Sequence, residues 1–485
     1  MLDTRRHLQV IFNSAYKISQ KFVFIAFAVS FVVALLVAFL PDYGIDKNMT
    51  YTLFILIFAA GLWISEAIPA FAVSLLVIAL EIVLLGYPNF DFASGSKAWQ
   101  VYLQPWSSPL IFLFLAGFIM ASAASKTKLD LWLAKKILFY VGGRPHNIIT
   151  GLIGITFVLS MFISNTATAA MMMTILIPLL THIKESNPFK KAVLLAVVIG
   201  ANLGGMGTII GTPPNAIAVG ILGENAPSFI GWMGIAVVPA LIVTIILRFV
   251  ILKLYPSSEP FIDLKIIKEV KHFDDSTTKF SKIPTVPSWK KNITMIIFAI
   301  TIILWLTGPL HHIPTTVVSL IPIIGFTLFG ILDADDICQI RWDVIILIIG
   351  GLSLGLAVSK SGLDMWFATL ISTDGLSMLL LMFVFSYIVV LISNFMSNTA
   401  ATNIMLPIVI AIAITISQQA SVMVVVAVAL SASFAMSLAV STPPNAIIYS
   451  SKKVDSKDFL ILGLVAGLLG PVVVVGWLFL IESFL

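Results

Sequence analysis

The chain has few charged residues and a single cysteine among its 485 residues. Asp, Glu, Lys and Arg make up 11% of the sequence, whereas 59% of the residues are hydrophobic. Soluble globular domains carry about 25% charged residues, so this composition excludes a soluble protein and indicates one that crosses a membrane many times. Cys338 alone excludes an internal disulfide framework and any metal site built from several cysteines.

The N-terminal segment does not resemble a cleavable signal peptide. Four basic residues precede the first apolar run, and no small-residue cleavage site follows a short apolar core. We therefore expect the first helix to be retained. The net charge of +5 would suggest nucleic-acid binding in a soluble chain, but here we attribute it to cytoplasmic loops that face anionic lipid, and we expect no nucleic-acid partner.

Eleven apolar runs are long enough to cross the roughly 30 Å hydrocarbon core of a bilayer. They lie near residues 22–40, 52–68, 69–87, 107–125, 192–222, 229–251, 292–310, 314–332, 343–359, 421–450 and 458–483. Two more apolar stretches, about 147–182 and 376–416, are each split in the middle by a polar triplet. The arms on either side are short for full spans, so we predict two re-entrant helical hairpins with the triplets at their tips.

The polar triplets are Ser164-Asn-Thr166 and Ser397-Asn-Thr399. Polar groups at membrane depth are tolerated only where they are buried in protein or line a wet cavity. One such triplet in a hydrophobic protein is usually hydrogen-bonding glue between helices. Two triplets in corresponding places predict a binding site.

Each triplet is followed by a proline motif, Thr212-Pro-Pro-Asn215 in the first half and Thr442-Pro-Pro-Asn445 in the second. Two adjacent prolines remove two backbone donors and disfavour helix in the residue before them. An apolar helix that enters such a motif must open there. The motifs therefore predict two broken helices.

The two halves of the chain are copies of one pattern. Gly117–Trp132 resembles Gly351–Trp366, and the triplets and proline motifs follow in the same order in both halves. We divide the chain into a cytoplasmic N-terminus with the first scaffold helix, a first repeat, a cytoplasmic connector and a second repeat. These cover residues 1–51, 52–251, 252–291 and 292–485.

The distribution of Lys and Arg predicts the orientation of the repeats. With a cytoplasmic N-terminus, eleven spans and hairpins that return to their own side, most of the basic residues fall on inner segments. Those segments contain Lys126, Lys128, Lys135, Lys136, Arg144, Lys184, Lys190, Lys191, eight lysines between 253 and 291, Lys452, Lys453 and Lys457. Charge alone does not exclude hairpins that span fully, because the number of crossings stays even; the polar tips favour re-entrant hairpins. The repeats are then inverted, an arrangement that places substrate near the midplane and supports alternating access.

The tips and proline motifs offer neutral oxygen and amide groups and contain no Arg or Lys. Hydroxyls and free helix-start amides can hold an anion, while carbonyl and side-chain oxygens can coordinate a hard cation. A doubly charged anion would then need helix dipoles and a bound cation to offset its charge, which couples the two binding events. Sodium suits such a cage better than Mg²⁺, which dehydrates reluctantly.

These motifs, together with Trp63-Ile-Ser-Glu-Ala-Ile-Pro69, resemble the divalent anion:sodium symporter family of bacterial dicarboxylate and animal di- and tricarboxylate carriers. The resemblance runs over nearly the whole chain. It implies an all-α polytopic membrane protein with eleven transmembrane helices and two re-entrant hairpins. It also implies a homodimer whose transport domains move as elevators against fixed scaffolds, in the inner membrane of the cell.

The resemblance also implies roles for individual residues. One sodium ion would be held by Ser160, Ser164, Asn165 and the carbonyl of Gly211, and the other by Ser393, Asn398 and the carbonyls of Met396 and Ser441. The dicarboxylate would contact Asn165, Thr166, Thr212, Asn398, Thr399 and Thr442. Ser393 stands where the family often has Thr, which keeps the hydroxyl. Met396 is bulky for its position, although only its backbone is implicated.

The leading interpretation is a secondary transporter that imports succinate, malate or fumarate with sodium. Within the transporter class, the alternatives are sodium-independent exchange, a tricarboxylate and sulfate. An ion channel is a different class, since re-entrant loops also build selectivity filters. An intramembrane enzyme is disfavoured because the motifs contain no His, Asp, Glu or Cys to act as acid, base or nucleophile.

Two carboxylates and one amphipathic stretch lie outside the motifs. Glu66, at the end of a span, is interpreted as a contact near the membrane interface. Glu81 lies within a span, where carboxylates are often functional, and its role stays open because no partner is visible in the sequence. Lys128–Ile137 suits a helix on the inner membrane surface that braces the moving part.

Overall fold

The computed structural model describes residues 20–87, 90–92, 95, 97–264, 287–370 and 377–482, and these ranges form helices and loops without a strand. The first half contains α1 (Gln20–Phe39), α2 (Lys47–Ser65), α3 (Ala70–Leu84), α4 (Pro109–Lys126), α5 (Leu129–Val141), α6 (Pro145–Ser160), α7 (Asn165–His182), α8 (Phe189–Gly204), α9 (Pro213–Leu222) and α10 (Phe229–Leu254). The second half contains α11 (Ser288–Leu306), α12 (Gly308–His311), α13 (Thr315–Leu328), α14 (Ala334–Cys338), α15 (Trp342–Ser361), α16 (Leu363–Leu370), α17 (Met378–Ser393), α18 (Asn398–Ile414), α19 (Gln418–Ser431), α20 (Pro443–Ser450) and α21 (Ser456–Ile481). Short 3₁₀ segments lie at Ala98–Ser107, Gly205–Gly207, Gly223–Asn225 and Ala432–Phe434.

Eight helical segments in the described ranges are long and apolar enough to cross a membrane. They contain α1, α2, α4, α8, α10, α11, α15 and α21. The three remaining predicted spans are the shorter apolar helices α3, α13 and α19, the last extended by its 3₁₀ turn to Phe434. The predicted all-helical membrane fold is therefore confirmed.

Apart from the short helices α12 and α14, the order of helices after α10 repeats the order from α2 to α10. A buried tryptophan marks the same place in both copies. The indole of Trp63 donates to the carbonyl of Ala70 over 3.3 Å, and the indole of Trp305 donates to the carbonyl of Thr315 over 3.2 Å. In each case the carbonyl belongs to the first residue of a helix that follows a proline cap. A tryptophan indole thus fixes the corresponding turn in each of the two copies.

Two helical hairpins occupy the places predicted for them. In the first, α6 ends at Ser160 and α7 begins at Asn165; in the second, α17 ends at Ser393 and α18 begins at Asn398. The hydroxyls of Ser164 and Ser397 accept hydrogen bonds from backbone amides three residues later, at 3.3 and 3.2 Å. Each triplet therefore caps the N-terminus of the returning helix.

Both proline motifs open a helix, as predicted. The chain leaves helical geometry between α8 and α9 and again between α19 and α20. The side-chain nitrogen Nδ2 of Asn215 donates to the carbonyl oxygen of Thr208 over 2.7 Å, and Nδ2 of Asn445 donates to the carbonyl oxygen of Leu438 over 2.8 Å. Carbonyls freed by each break are thus hydrogen-bonded by the asparagine of the same motif, which makes a buried break tolerable.

Segments that the charge distribution assigns to one side of the membrane contact one another. Lys191, in the first turn of α8, lies 2.8 Å from Asp458, and Lys453 lies 2.9 Å from Glu185. The amide of Ile262, in the connector, donates to the carbonyl of Gly143 over 2.8 Å. Residues 265–286 of the connector lie outside the described ranges. The contacts agree with one shared side for these segments.

Candidate functional site

All four motifs line one cavity of about 280 Å³. The six residues predicted to contact an anion are among its lining: Asn165, Thr166, Thr212, Asn398, Thr399 and Thr442. Gly211 and Ser441, whose carbonyls were predicted to hold cations, line it as well. The structure therefore brings together two hairpins and two broken helices, and the corresponding motifs of the two repeats lie more than 200 positions apart in the sequence.

Four helix N-termini meet at this cavity. The first residues of α7, α9, α18 and α20 line it together with the residues that precede them, Ser164, Thr212, Ser397 and Thr442. A helix start carries about half a positive charge. The paired prolines remove the first two backbone donors of α9 and α20, so free backbone amides come from the starts of α7 and α18. Four such starts supply positive potential where the motifs have no basic side chain. The cavity is therefore suited to an anion.

The first predicted cation site has its oxygens close together. The hydroxyl oxygen of Ser160 lies 2.7 Å from Oδ1 of Asn165 and 2.7 Å from the carbonyl oxygen of Ala201. Glycine at 205 permits this packing, because a Cβ there would lie 2.5 Å from Asn165 Oδ1. Ser164 and Gly211 line the neighbouring cavity.

The second predicted cation site contains two buried oxygens without partners. Among the described residues, neither the hydroxyl oxygen of Ser393 nor Oδ1 of Asn398 has a hydrogen-bond partner. Met396, whose carbonyl was predicted to take part, lies between these two residues in the sequence and is buried. A buried polar atom without a partner costs about 1–3 kcal/mol. A cation coordinated by these oxygens would remove that cost, so the donor set fits a hard cation.

Three asparagines outside the predicted set organise the site. Asn202 lines the cavity, and its side-chain amide donates to Oδ1 of Asn445 over 3.1 Å. Oδ1 of Asn394 accepts from the amide of Ser437 over 2.9 Å, which ties the second tip to the second break. An asparagine in an apolar run is the sequence signal that could have identified Asn202.

Arg341 and Asp343 also line the cavity, and sequence reasoning missed them. Among the described lining residues, these two carry the only charged side chains. Nε of Arg341 lies 2.9 Å from Oδ1 of Asp343, and its Nη2 lies 2.8 Å from Oδ2.

The other candidate residues lie away from this cavity. Glu81 is fully buried and accepts a hydrogen bond from the hydroxyl of Ser353, a partner that was not visible in the sequence. Glu66 is the exposed residue that ends α2, in left-handed backbone conformation at φ 48°. A second cavity of about 440 Å³ lies beside the Ala98–Ser107 segment and contains no motif residue.

The sequence matches a family model described as citrate transporter over residues 60–429 and 313–484. The sodium-dependent dicarboxylate transporter SdcS of Staphylococcus saprophyticus is 30% identical over 515 residues, which cover 98% of this chain and 94% of that protein. The chain belongs to the divalent anion:sodium symporter family. This membership confirms the resemblance and the expectation of a transporter rather than an enzyme.

One further relative and two solved structures are similar to this chain. The inorganic phosphate transporter PHO87 of Saccharomyces cerevisiae is 30% identical over 364 residues, which cover 72% of this chain and 37% of that protein. The solved structure of the YdaH transporter of Alcanivorax borkumensis has a TM-score of 0.56 at 12% identity, covering 86% of this chain and 99% of that one. MtrF of Neisseria gonorrhoeae has a TM-score of 0.54 at 12% identity, with 84% and 94% covered. At this identity the likeness concerns the fold alone.

Proposed function

We propose that the protein is a secondary active transporter that imports C4-dicarboxylates such as succinate, malate and fumarate together with sodium ions. The observation that carries the proposal is the meeting of four helix N-termini at one cavity, beside buried oxygens that have no hydrogen-bond partner within the described part of the chain. The relative SdcS is a sodium-dependent dicarboxylate transporter, which supports the same class of substrate and the same ion.

The anion would be held by hydroxyls, carboxamides and helix-start amides. Thr166, Thr212, Thr399 and Thr442 offer hydroxyls along the lining of the cavity. A linear dicarboxylate has a charge at each end, and the two tips approach the cavity from different repeats. Each carboxylate can therefore bind at a tip and the N-termini next to it. A volume near the lower end of typical ligand pockets suits a small solute.

Coupling to sodium would arise from shared side chains. Asn165 and Asn398 belong to both the predicted cation sites and the anion site, so an ion that binds Oδ1 orients the amide group toward the anion. The ion also offsets charge in a site whose motifs have no basic residue. By linkage, each ligand then raises the affinity for the other by the same factor.

Alternating access would use the two repeats. We propose that they are inverted and that the hairpins and broken helices move together as a transport domain in an elevator mechanism. The remaining helices would form the scaffold of a homodimer. We place the N-terminus in the cytoplasm of a cell whose inner membrane holds the protein, because that orientation puts the basic segments inside.

Uptake of radiolabelled succinate into proteoliposomes tests the proposal. We expect accumulation with an inward sodium gradient and little uptake when choline replaces sodium. Equal uptake in both buffers would indicate sodium-independent transport, which would be exchange if it required unlabelled succinate inside the vesicles. Preferential competition by citrate, sulfate or phosphate would identify a different substrate. Conduction at channel rates would overturn the transporter mechanism altogether.

A further inference from the structure

Arg341 and Asp343 form a closed ion pair at the wall of the cavity. Arg341 precedes the first residue of α15 and Asp343 lies in its first turn. The two side chains are 47% and 45% exposed, so water reaches the pair. Among the described residues, the hydrogen bonds of this guanidinium go to Asp343 alone.

The backbone that carries the pair is held in place by several contacts. Asp333 and Asp336 form a reciprocal capping box at the start of α14. Lys126, at the end of α4, lies 3.0 Å from Asp333 and also contacts Asp336. The indole of Trp342 donates to the carbonyl of Ile337 over 3.0 Å. The main chain at Arg341 is thus fixed next to the cavity, and its side chain is about half exposed.

The pair has the geometry with which a guanidinium binds any carboxylate. Two parallel N–H groups meet two carboxylate oxygens, the arrangement that arginine forms with aspartate or with a carboxylate ligand. A partly exposed ion pair contributes little net stability. Removing the Asp343 carboxylate should therefore leave the fold intact and the same donors free for a substrate carboxylate.

Asp343 thus occupies the place of a substrate carboxylate. A dicarboxylate can place its two charges at the two tips and leave the ion pair closed. A tricarboxylate brings a third charge into a cavity whose one guanidinium is already neutralised. Its third carboxylate would lie near the ionised Asp343 and be repelled.

We propose that Asp343 selects dicarboxylates over tricarboxylates, because its own carboxylate binds Arg341 in the place of a third substrate carboxylate. The inference rests on the proposed transport of carboxylates. It assigns a role in specificity to two residues that belong to neither hairpin and neither broken helix.

Binding of succinate and of citrate to the purified full-length protein in sodium buffer tests this, at a pH where citrate is trianionic. We expect Asp343→Asn to raise the affinity for citrate relative to succinate by about tenfold, because a charge-assisted bidentate contact replaces a repulsion. Asp343→Ser should act in the same direction, which guards against a folding defect of one variant. The double variant Arg341→Gln/Asp343→Asn should lose the gain, since no guanidinium remains.

Asp364→Asn is the matched control, because Asp364 is also an aspartate in the first turn of a helix but does not line this cavity. It should leave the citrate-to-succinate ratio unchanged. If both Asp343 variants folded and kept the wild-type ratio of citrate to succinate affinity, while the wild type bound succinate, the inference would be wrong and the proposed function would stand. If the wild type bound neither acid, the proposed function would fall and the inference with it. A gain that survived in the double variant would also contradict the role of Arg341.

Discussion

The side-chain amide of Asn202 donates to the carboxamide oxygen of Asn445 over 3.1 Å, and this bond joins the broken helix of one repeat to that of the other. The same oxygen of Asn445 lies 2.8 Å from the hydroxyl of Thr442, which lines the cavity. The two proline motifs are therefore not independent. Asn202 positions the second motif from within the first repeat.

Replacing Asn202 by Ala should weaken both the fold and transport. The change leaves Oδ1 of buried Asn445 with one partner fewer, at a cost of about 1 kcal/mol. We expect a lower melting temperature in detergent and reduced succinate uptake. Asn48→Ala, at an exposed asparagine, is the control. If Asn202→Ala had the melting temperature and the succinate uptake of the control, the hydrogen bond between the repeats would contribute to neither stability nor transport.

Asn165→Ala and Asn398→Ala should each abolish sodium-driven uptake. Each change removes an amide assigned to both the ion and the anion, while the helix caps at Ser164 and Ser397 remain. Expression and oligomeric state should stay close to wild type. Asn225→Ala, at an exposed position, should transport normally. Normal uptake by both tip variants would show that the site lies elsewhere.

Ser393→Ala should lose the part of the sodium response that comes from the second predicted ion site, without losing stability in the absence of sodium. The hydroxyl has no partner among the described residues, so its removal from sodium-free protein eliminates an unsatisfied buried group. In wild type, sodium at 100 times its dissociation constant should stabilise the fold by about 2.7 kcal/mol. Melting curves in sodium and in potassium measure both effects. A sodium-dependent rise as large in Ser393→Ala as in wild type would exclude this hydroxyl as a ligand.

Gly351→Ala should disrupt packing between α15 and the second hairpin. A Cβ at this position would lie 1.9 Å from Oδ1 of buried Asn403 on α18. We expect a loss of about 1–3 kcal/mol of stability together with loss of uptake. Gly355→Ala, on the same helix, is the control, because its nearest atom would be at an ordinary 3.5 Å. Equal thermal stability of the two variants would mean that α15 and α18 can separate without cost.

The main architecture follows from local signals. A proline pair opens a helix whatever surrounds it, and a Ser-Asn-Thr triplet in an apolar run has to be buried or wet at membrane depth. For this reason the hairpins, the broken helices and the repeats could be predicted from the sequence. The six residues that the family resemblance implied for the anion lie within these same motifs, and the structure places all of them around one cavity. Their binding roles stay predictions.

The sequence by itself thus determined the helical membrane fold, its duplication and the residue types offered to a ligand. Only the tertiary structure decided which polar groups meet. Asn202 and Asn445 are 243 positions apart, and Glu81 and Ser353 are 272 apart. Arg341 enters the site because α15 packs beside the tips, which no motif records. The physical reason is that backbone opening depends on neighbouring residues, whereas a hydrogen bond or ion pair across the fold depends on how whole helices pack.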